Sequence, residues 1–156
     1  MLTPKVEARL TQELLLEPGD CVLEIGTGSG YQAALLAQLS QQVTSVEIDS
    51  RIAGFAVENL QREQVGNVNV EIGDAHSGWG TAEYDAILLT GSVPVVPDAL
   101  KYQLCVGGRM VVVVGTTPIM TVYRLTRTSA ASFDTEALFD TVIKPLKGTA
   151  VSQFKF

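Results

Sequence analysis

Three glycines at alternate positions form the segment of this sequence with the clearest chemical potential. Gly26, Gly28 and Gly30 directly follow the short apolar run Cys21–Ile25. Glycine lets the backbone turn sharply and approach a ligand where a Cβ would collide. Such turns also join strands to helices for purely structural reasons, so the spacing alone is a weak signal. The loop follows a predicted first strand and opens a helix, which is where open α/β sheets bind ligands, and it predicts room for a nucleoside.

Two carboxylates follow the next two predicted strands. Glu47 ends the second apolar run, and Asp74 comes just after the third, Val68–Ile72. An acidic side chain in the position of Glu47 can accept hydrogen bonds from both hydroxyls of a ribose. Ile48 would then lie against an adenine face, and Asp74 would accept from the adenine amino group. A solvated strand-end charge and a plain turn residue are the structural alternatives, but three features at three successive strand ends favour a nucleoside site.

The residue at position 31 helps to separate two classes of nucleoside cofactor. A dinucleotide fingerprint requires a third glycine at this position, where the sequence has Tyr31, too bulky for the close approach of helix and strand. S-adenosyl-L-methionine has no pyrophosphate to bind, and the three glycines leave space for its amino-acid end. The loop therefore favours adenosylmethionine, and an NAD-binding oxidoreductase is a distant alternative.

Alternating helix and strand patterns position these residues. Thr3 is predicted to cap a first helix that has Pro4 at its first position and continues as far as the turn Glu17-Pro18-Gly19-Asp20. Ser50 is predicted to cap the helix 50–63, and the pair Gly107-Gly108 is predicted to form a turn. The other predicted helices are 31–39 and 97–103, and the predicted strands are 21–25, 42–47, 68–72, 84–89, 109–114, 120–126 and 138–144.

This alternation predicts an α/β fold with a doubly wound, mostly parallel, Rossmann-like sheet and helices on both faces. The last two strand candidates have no convincing helix between them, so the sheet is predicted to end in an antiparallel pair. Many adenosylmethionine-dependent methyltransferases end in this way, whereas dinucleotide dehydrogenases usually add a parallel strand. The 156 residues suffice for a single domain, 1–156.

Composition excludes several classes of function. The formal charge of −6 disfavours nucleic acid and anionic membrane surfaces as partners. One histidine and two cysteines provide no zinc site, and Cys21 and Cys105 are predicted to be small buried side chains, so no metal is expected. The sequence shows no apolar run of about 20 residues and no signal-peptide pattern, which favours a cytoplasmic setting.

Seven motifs spread along the chain together resemble the protein-L-isoaspartate O-methyltransferase family. They are Val22-Leu-Glu-Ile-Gly-Thr-Gly-Ser-Gly-Tyr-Gln32, Ser45-Val-Glu-Ile-Asp49, Gly73-Asp-Ala75, Tyr84-Asp-Ala-Ile-Leu-Leu-Thr90, Val96-Pro97, Gly107-Gly-Arg109 and Pro145-Leu-Lys-Gly148. The resemblance implies S-adenosyl-L-methionine as cofactor, S-adenosyl-L-homocysteine as product and isoaspartyl peptides or proteins as methyl acceptors. It assigns cofactor contacts to Glu24, Gly26, Thr27, Gly28, Glu47, Ile48, Asp74 and Ala75, to which we add Ser29, Gly30 and Tyr31 of the same loop.

The reaction that the resemblance implies needs no general base. An isoaspartyl carboxylate is already ionised at neutral pH, so it can attack the sulfonium methyl directly, and no catalytic residue is assigned. Thr90, at the exit of the fourth strand, and Ser92 are placed on the acceptor side. His76 is predicted to be a surface or loop residue.

The acceptor side departs from the family pattern. Leu2 stands where the family has a serine that helps to hold the acceptor carboxylate, and leucine cannot donate a hydrogen bond. Family members also carry N-terminal helices and a covering segment ahead of the position of Met1. We therefore expect this form to bind cofactor and to transfer methyl groups weakly or not at all. A different carboxylate or hydroxyl acceptor and a non-catalytic binding module remain alternatives, and the oligomeric state is not predicted.

Overall fold

The computed structural model describes residues 2–147, which form one seven-stranded sheet with helices packed against it. Its strand order is β3-β2-β1-β4-β5-β6-β7, in which β1 to β5 are parallel and β6 and β7 are antiparallel. The strands are β1 Cys21–Ile25, β2 Gln42–Glu47, β3 Val68–Ile72, β4 Tyr84–Leu89, β5 Leu104–Thr116, β6 Ile119–Ser129 and β7 Ser132–Thr141. The helices are α1 Pro4–Glu13, α2 Tyr31–Leu39, α3 Ser50–Arg62 and α4 Asp98–Lys101.

Two buried clusters of apolar side chains lie on opposite faces of the sheet. Successive strand residues point to opposite faces, and Leu23 and Ile87 accordingly belong to one cluster while Val22 and Leu88 belong to the other. Helices α1 and α2 pack in the second cluster and α4 in the first. The predicted doubly wound, Rossmann-like fold with an antiparallel C-terminal end is confirmed.

The first and third helices begin with side-chain caps. Thr3 caps α1 as predicted, with its hydroxyl oxygen accepting from the Val6 amide at 3.4 Å. The prediction that Ser50 caps α3 is wrong: Asp49 does so, its Oδ1 accepting from the amides of Arg51 at 2.9 Å and Ile52 at 3.4 Å. Asp49 takes the capping position instead of Ser50 because its backbone, just after β2, is still extended. Its negative charge also faces the positive end of the helix dipole.

The fourth helix is shorter than predicted. It was expected over 97–103 but covers only Asp98–Lys101, and Gln103 lies beyond it. The Gln103 amide instead bridges a neighbouring loop, donating from Nε2 to the carbonyls of Trp79 at 2.7 Å and Ala82 at 3.0 Å. These hydrogen bonds of the Gln103 side chain favour an end of the helix before Gln103.

The predicted turn at Gly107-Gly108 is wrong, because both glycines lie inside β5. Tyr84 pairs with Leu104 while Ala86 pairs with Arg109, so β5 bulges outward between these two pairings. Gly107 has a φ of +88°, and a Cβ on Gly108 would lie 2.9 Å from the Cys105 carbonyl oxygen. Glycine serves a bulge here, not a reversal of the chain.

The C-terminal strands differ from their predicted bounds. The last strand was expected over 138–144, but β7 starts at Ser132, directly after a tight hairpin, and ends at Thr141. The following segment returns to the end of β4, where the Ser92 amide donates to the Lys144 carbonyl at 3.0 Å and Leu146 donates back to the Ser92 carbonyl at 2.9 Å. This return places residues 142–147 beside the carboxyl edge of the parallel strands. Gly148, the last residue of the closing motif, lies outside the described residues.

One arginine ties the end of α1 to the sheet. The Arg109 guanidinium on β5 donates to the carbonyls of Leu14 and Leu15, both at 2.9 Å, and to Asp20 Oδ2 at 2.8 Å. Carbonyls at a helix C-terminus lack intrahelical partners, and a cation is favoured there. The contact therefore fixes α1 against the sheet.

The expected burial of the cysteines is only partly met. Neither forms a disulfide, both are partly exposed, and the Cys105 thiol lies 3.3 Å from Asp85 Oδ1.

Within residues 2–147 no three His, Cys, Asp or Glu side chains are grouped as metal ligands. In the same part of the chain, no helix is long and apolar enough to cross a membrane.

Candidate functional site

A cavity of about 600 Å³ opens at the carboxyl ends of the parallel strands. Its walls come from the glycine loop after β1, the ends of β2, β3 and β4, the start of α1, and the segment that follows β7. The sequence-predicted residues that line it are Gly26, Thr27, Gly28, Ser29, Glu47, Ile48, Asp74, Ala75 and Thr90. The structure thus brings nine of the thirteen predicted site residues to one cavity.

The glycine loop is shaped by a close approach at one position and by open space at another. Gly26 has a φ of +96°, and a Cβ there would overlap the Thr90 hydroxyl oxygen. That hydroxyl donates to the carbonyls of Gly26 at 2.7 Å and Ile25 at 3.0 Å, which joins the ends of β1 and β4. Gly28 has a φ of +57°, and apart from its chain neighbours no described heavy atom lies within 4 Å of where its Cβ would be. The Thr90 hydroxyl therefore holds the loop at Gly26, and the backbone of Gly28 is left uncovered by neighbouring side chains.

Glu47 is held rigidly at the edge of this cavity. Its Oε1 accepts from the Gly28 amide at 3.0 Å, and its Oε2 accepts from the Asp49 amide at 3.1 Å. A carboxylate offers about four acceptor positions, and these two bonds use only two of them. The side chain can therefore accept two more donors, which is what a pair of vicinal hydroxyls supplies.

Glu24 lies beneath the loop and is fully buried. Its Oε1 accepts from the Ser45 hydroxyl at 2.5 Å, and the Ser45 and Thr27 hydroxyl oxygens lie 2.6 Å apart. Burial raises the pKa of Glu24 to about 8, an effect that the Ser45 hydrogen bond opposes and the nearby carboxylate of Glu47 reinforces. Glu24 does not line the cavity and supports the loop through Ser45 and Thr27.

The loop after β3 completes the wall on the β3 side. Asp74 Oδ1 accepts from the His76 amide at 3.0 Å, which fixes the carboxylate at the cavity. The Trp79 ring packs against the preceding residue, so closely that a Cβ on Gly73 would lie 2.6 Å from it. The Trp79 amide donates to Gln103 Oε1 at 2.7 Å. Asp74 is thus presented by a short loop braced by a tryptophan, and His76 does not line the cavity.

Three other predicted residues do not reach the cavity lining. A Cβ on Gly30 would lie 3.3 Å from the Ala56 carbonyl oxygen, so this glycine permits close packing of α3. Tyr31 begins α2 with its side chain 47% exposed, and Ser92 is buried with its backbone paired to the returning C-terminal segment. These three residues are close to the cavity along the chain, but they do not form its wall.

Sequence reasoning missed two polar residues in the wall of this cavity. Glu7 on α1 is 3% exposed and Gln32 on α2 is 4% exposed, and both line the cavity. Thr11, one turn after Glu7, donates its hydroxyl to the Glu7 carbonyl at 2.9 Å and accepts from Gln32 Nε2. The available signal was the presence of Glu7 and Thr11 at the helical spacing of the buried Leu10 and Leu14, where apolar residues are expected.

Comparison with known proteins identifies a family of related sequences. The sequence model of the protein-L-isoaspartate(D-aspartate) O-methyltransferase family matches residues 2–150. A protein-L-isoaspartate O-methyltransferase 1 of Rhodopseudomonas palustris (strain HaA2) is 42% identical over 147 residues, which is 93% of this chain and 60% of that protein. A protein-L-isoaspartate O-methyltransferase of Synechococcus sp. (strain JA-2-3B'a(2-13)) is 49% identical over 74% of this chain and 48% of its own length.

Solved structures show the same fold. A protein-L-isoaspartate O-methyltransferase superposes with a TM-score of 0.85 at 27% identity, covering 96% of this chain and 49% of that one. A putative family enzyme from Plasmodium falciparum, solved in complex with S-adenosyl-L-homocysteine, superposes with a TM-score of 0.78 at 22% identity over 94% of this chain and 75% of that one. The chain thus spans about half to two thirds of the length of the two curated relatives above. The match of the family model over nearly the whole chain, together with this fold, shows that the chain belongs to the protein-L-isoaspartate(D-aspartate) O-methyltransferase family.

Proposed function

We propose that this chain binds S-adenosyl-L-methionine in the cavity and transfers its methyl group to the carboxylate of isoaspartyl residues in peptides or proteins. The observation that carries the proposal is the geometry of Glu47, whose two backbone hydrogen bonds fix its carboxylate beside the exposed backbone of Gly28. A nucleoside fits this arrangement because its ribose offers two hydroxyl donors to Glu47. We also propose that residues 1–156 form a single methyltransferase domain.

Each part of the cofactor has a matching group in the cavity. Glu47 would accept from the ribose hydroxyls, while Ile48 and Asp74 would meet the adenine face and its amino group. The backbone of Gly26 and Gly28 would lie along the amino-acid end. The strand order β3-β2-β1 supports these assignments, because the residues proposed for adenine, ribose and the amino-acid end follow three neighbouring strands of the sheet.

The acceptor side of the cavity combines an apolar wall with positive charge. When bound, the cofactor supplies an electrophilic methyl group on a sulfonium. Leu2, Val6 and Ile143 line the wall, which excludes water from the reacting groups. The exposed Lys144 and Lys147 also belong to the lining, and their ammonium groups favour an anionic acceptor at the rim. Lys147 lies 3.9 Å from Asp49, so its charge is partly compensated, and Lys144 is the better candidate for the acceptor carboxylate.

These residues orient the acceptor and need not remove a proton from it. The isoaspartyl carboxylate is already a nucleophile at neutral pH, and its alignment with the methyl group and its partial desolvation in the cavity would supply the rate. The Thr90 hydroxyl already donates its hydrogen to the backbone carbonyls of Ile25 and Gly26. It can therefore accept a further hydrogen bond but cannot donate one to the carboxylate that receives the methyl group. Leu2 offers no hydrogen bond either, and we therefore expect slow turnover.

Two measurements test the proposal. Calorimetry should show S-adenosyl-L-homocysteine binding to the unaltered chain and to the exposed-site control Glu58→Gln. Radiolabelled methyl groups should then pass slowly to an isoaspartyl peptide and not to the same peptide with normal aspartate. Absence of cofactor binding would refute the whole proposal. Binding without any preference for the isoaspartyl peptide would refute the acceptor and support a different acceptor or a non-catalytic role.

A further inference from the structure

Three buried side-chain oxygens, two in one wall of the cavity and one behind it, have no hydrogen-bond partner among the described residues. They are Glu7 Oε2 on α1, Glu24 Oε2 on β1 and Gln32 Oε1 on α2. Glu24 is fully buried, and Glu7 and Gln32 are almost so. A buried polar atom without a partner is costly, so native proteins rarely leave several together unless a ligand or water satisfies them.

The orientation of Gln32 follows from its neighbours. The Thr11 hydroxyl donates its hydrogen to the Glu7 carbonyl, so its oxygen can only accept a further bond. Gln32 must therefore turn its amide nitrogen toward Thr11, as it does, and its carbonyl oxygen is left without a donor. The same chain of bonds links Gln32 to the backbone of Glu7, which places the two side chains at one site.

All three unpartnered atoms are oxygens, so the missing partner is rich in donors. Two carboxyl groups this close repel each other when ionised, and burial is the main reason that the pKa of each is raised. A bound cation would take the place of the protons that such a pair retains. No three His, Cys, Asp or Glu side chains among residues 2–147 are grouped to hold a metal ion, which favours an organic cation with several N–H groups.

We propose that Glu7 and Gln32 form the binding site for the primary ammonium group at the amino-acid end of the cofactor, with Glu24 behind them. This inference rests on the proposed function. With the adenine and ribose sites proposed at the ends of β3 and β2, the amino-acid end would extend over β1, the next strand in the sheet. There Glu7 interacts electrostatically with the buried Glu24, and both Glu7 and Gln32 line the cavity.

The inference assigns a part of the cofactor site to α1, outside the glycine loop and the strand ends. A carboxylate that meets an ammonium inside a cavity makes a charge-assisted hydrogen bond, which is stronger than a neutral one. Replacing Glu7 with glutamine retains its size and removes its charge. The loss should therefore be confined to ligands that carry the ammonium group.

Calorimetry with two ligands tests this directly. S-adenosyl-L-homocysteine carries the ammonium, whereas 5′-methylthioadenosine has the same nucleoside and thioether without it. For Glu7→Gln we expect roughly 10- to 100-fold weaker binding of S-adenosyl-L-homocysteine. Binding of 5′-methylthioadenosine should change by less than about twofold. Glu58→Gln, which removes one exposed carboxylate from α3, is the matched control and should change neither affinity.

A second variant guards against a folding defect in the first. Gln32→Met removes the unpartnered carbonyl oxygen and should weaken S-adenosyl-L-homocysteine binding by roughly 3- to 10-fold, again without effect on 5′-methylthioadenosine. Equal weakening of both ligands would show a structural role and overturn the inference, as would unchanged binding of both. If neither ligand binds the unaltered chain, the proposed function itself fails.

Discussion

The carboxyl group of Glu24 should make the stability of this protein fall as the pH rises. Burial raises its pKa in the folded state from 4.5 to about 8. Below pH 4.5 both the folded and the unfolded states hold the proton, and the stabilisation is fully present. Between these two values the unfolded chain loses the proton while the folded chain retains it, so the free energy of unfolding decreases by about 1.4 kcal/mol per pH unit. Above the folded pKa this contribution is lost.

The variant Glu24→Gln isolates this contribution. Glutamine has nearly the same shape, retains an acceptor for the Ser45 hydroxyl and does not titrate. The unfolding free energy of the variant minus that of the unaltered chain should rise by about 1.4 kcal/mol per pH unit, by a total of about 4 to 5 kcal/mol across the window. Glu7 and Glu47, the carboxylates that interact with Glu24, are present in both chains.

Urea denaturation followed by circular dichroism at several pH values between about 4.5 and 8 measures this difference. The cofactor must be absent, because a bound cation changes the ionisation of the cluster. Glu58→Gln serves as the control and should give a difference that does not depend on pH. If the curves for Glu24→Gln and the unaltered chain run parallel over the window, Glu24 ionises normally in the folded protein and the reasoning from its burial is refuted.

Four further predictions concern the backbone and charges of the site and the arginine that ties α1 to the sheet. Gly26→Ala should lower stability by about 2 to 4 kcal/mol in urea denaturation, because its Cβ would meet the Thr90 hydroxyl at a φ of +96°. Gly28→Ala, in open space at a φ of +57°, should cost about 1 to 2 kcal/mol but weaken calorimetric binding of S-adenosyl-L-homocysteine at least tenfold. Glu47→Gln should weaken the same binding by about tenfold or more, since a charged acceptor is lost. Arg109→Met should lower the free energy of unfolding by about 2 to 4 kcal/mol, because it removes the donor to two helix-end carbonyls and the cation beside the Asp20 carboxylate.

Comparison within these variants provides their controls. Gly28→Ala destabilising the fold as much as Gly26→Ala would contradict the steric argument. Glu47→Gln binding S-adenosyl-L-homocysteine as the unaltered chain does would remove Glu47 from the site. For Arg109, the control is Arg109→Lys, which retains the positive charge. If Arg109→Met, Arg109→Lys and the unaltered chain were equally stable, the contacts of Arg109 would contribute little to stability.

Buried strands of the parallel sheet were predictable because consecutive apolar residues indicate a strand that is covered on both faces. Cys21–Ile25 and Tyr84–Leu89 have the predicted bounds, since short, mainly apolar runs between turn residues leave few alternatives. The edge strand β7 was placed too late because most of its side chains are exposed and follow no apolar pattern. Gly107-Gly108 was misjudged because glycine permits a bulge as readily as a turn, and only pairing with β4 decides between them.

The candidate site was predictable where its residues follow strand ends directly. Glu47 and Asp74 reach the cavity for this reason, because the topology of a parallel sheet determines where a strand-end residue lies. The sequence marked Glu7 only as a polar residue at the spacing of the buried Leu10 and Leu14. Its place in the cavity depends on the packing of α1 near β1 and α2. That packing depends on contacts between distant residues, such as the bonds from Arg109 to the end of α1.

The position of Trp79 gives the cavity an optical reporter of its own. The sequence contains one tryptophan, so its emission can be assigned to a single place. Its ring packs against Gly73, beside Asp74, and its indole nitrogen donates to Glu71 at the end of β3. A ligand whose base rests against Asp74 would alter the surroundings of that ring. Occupancy of the site can therefore be followed by intrinsic fluorescence, without a label on either the protein or the ligand.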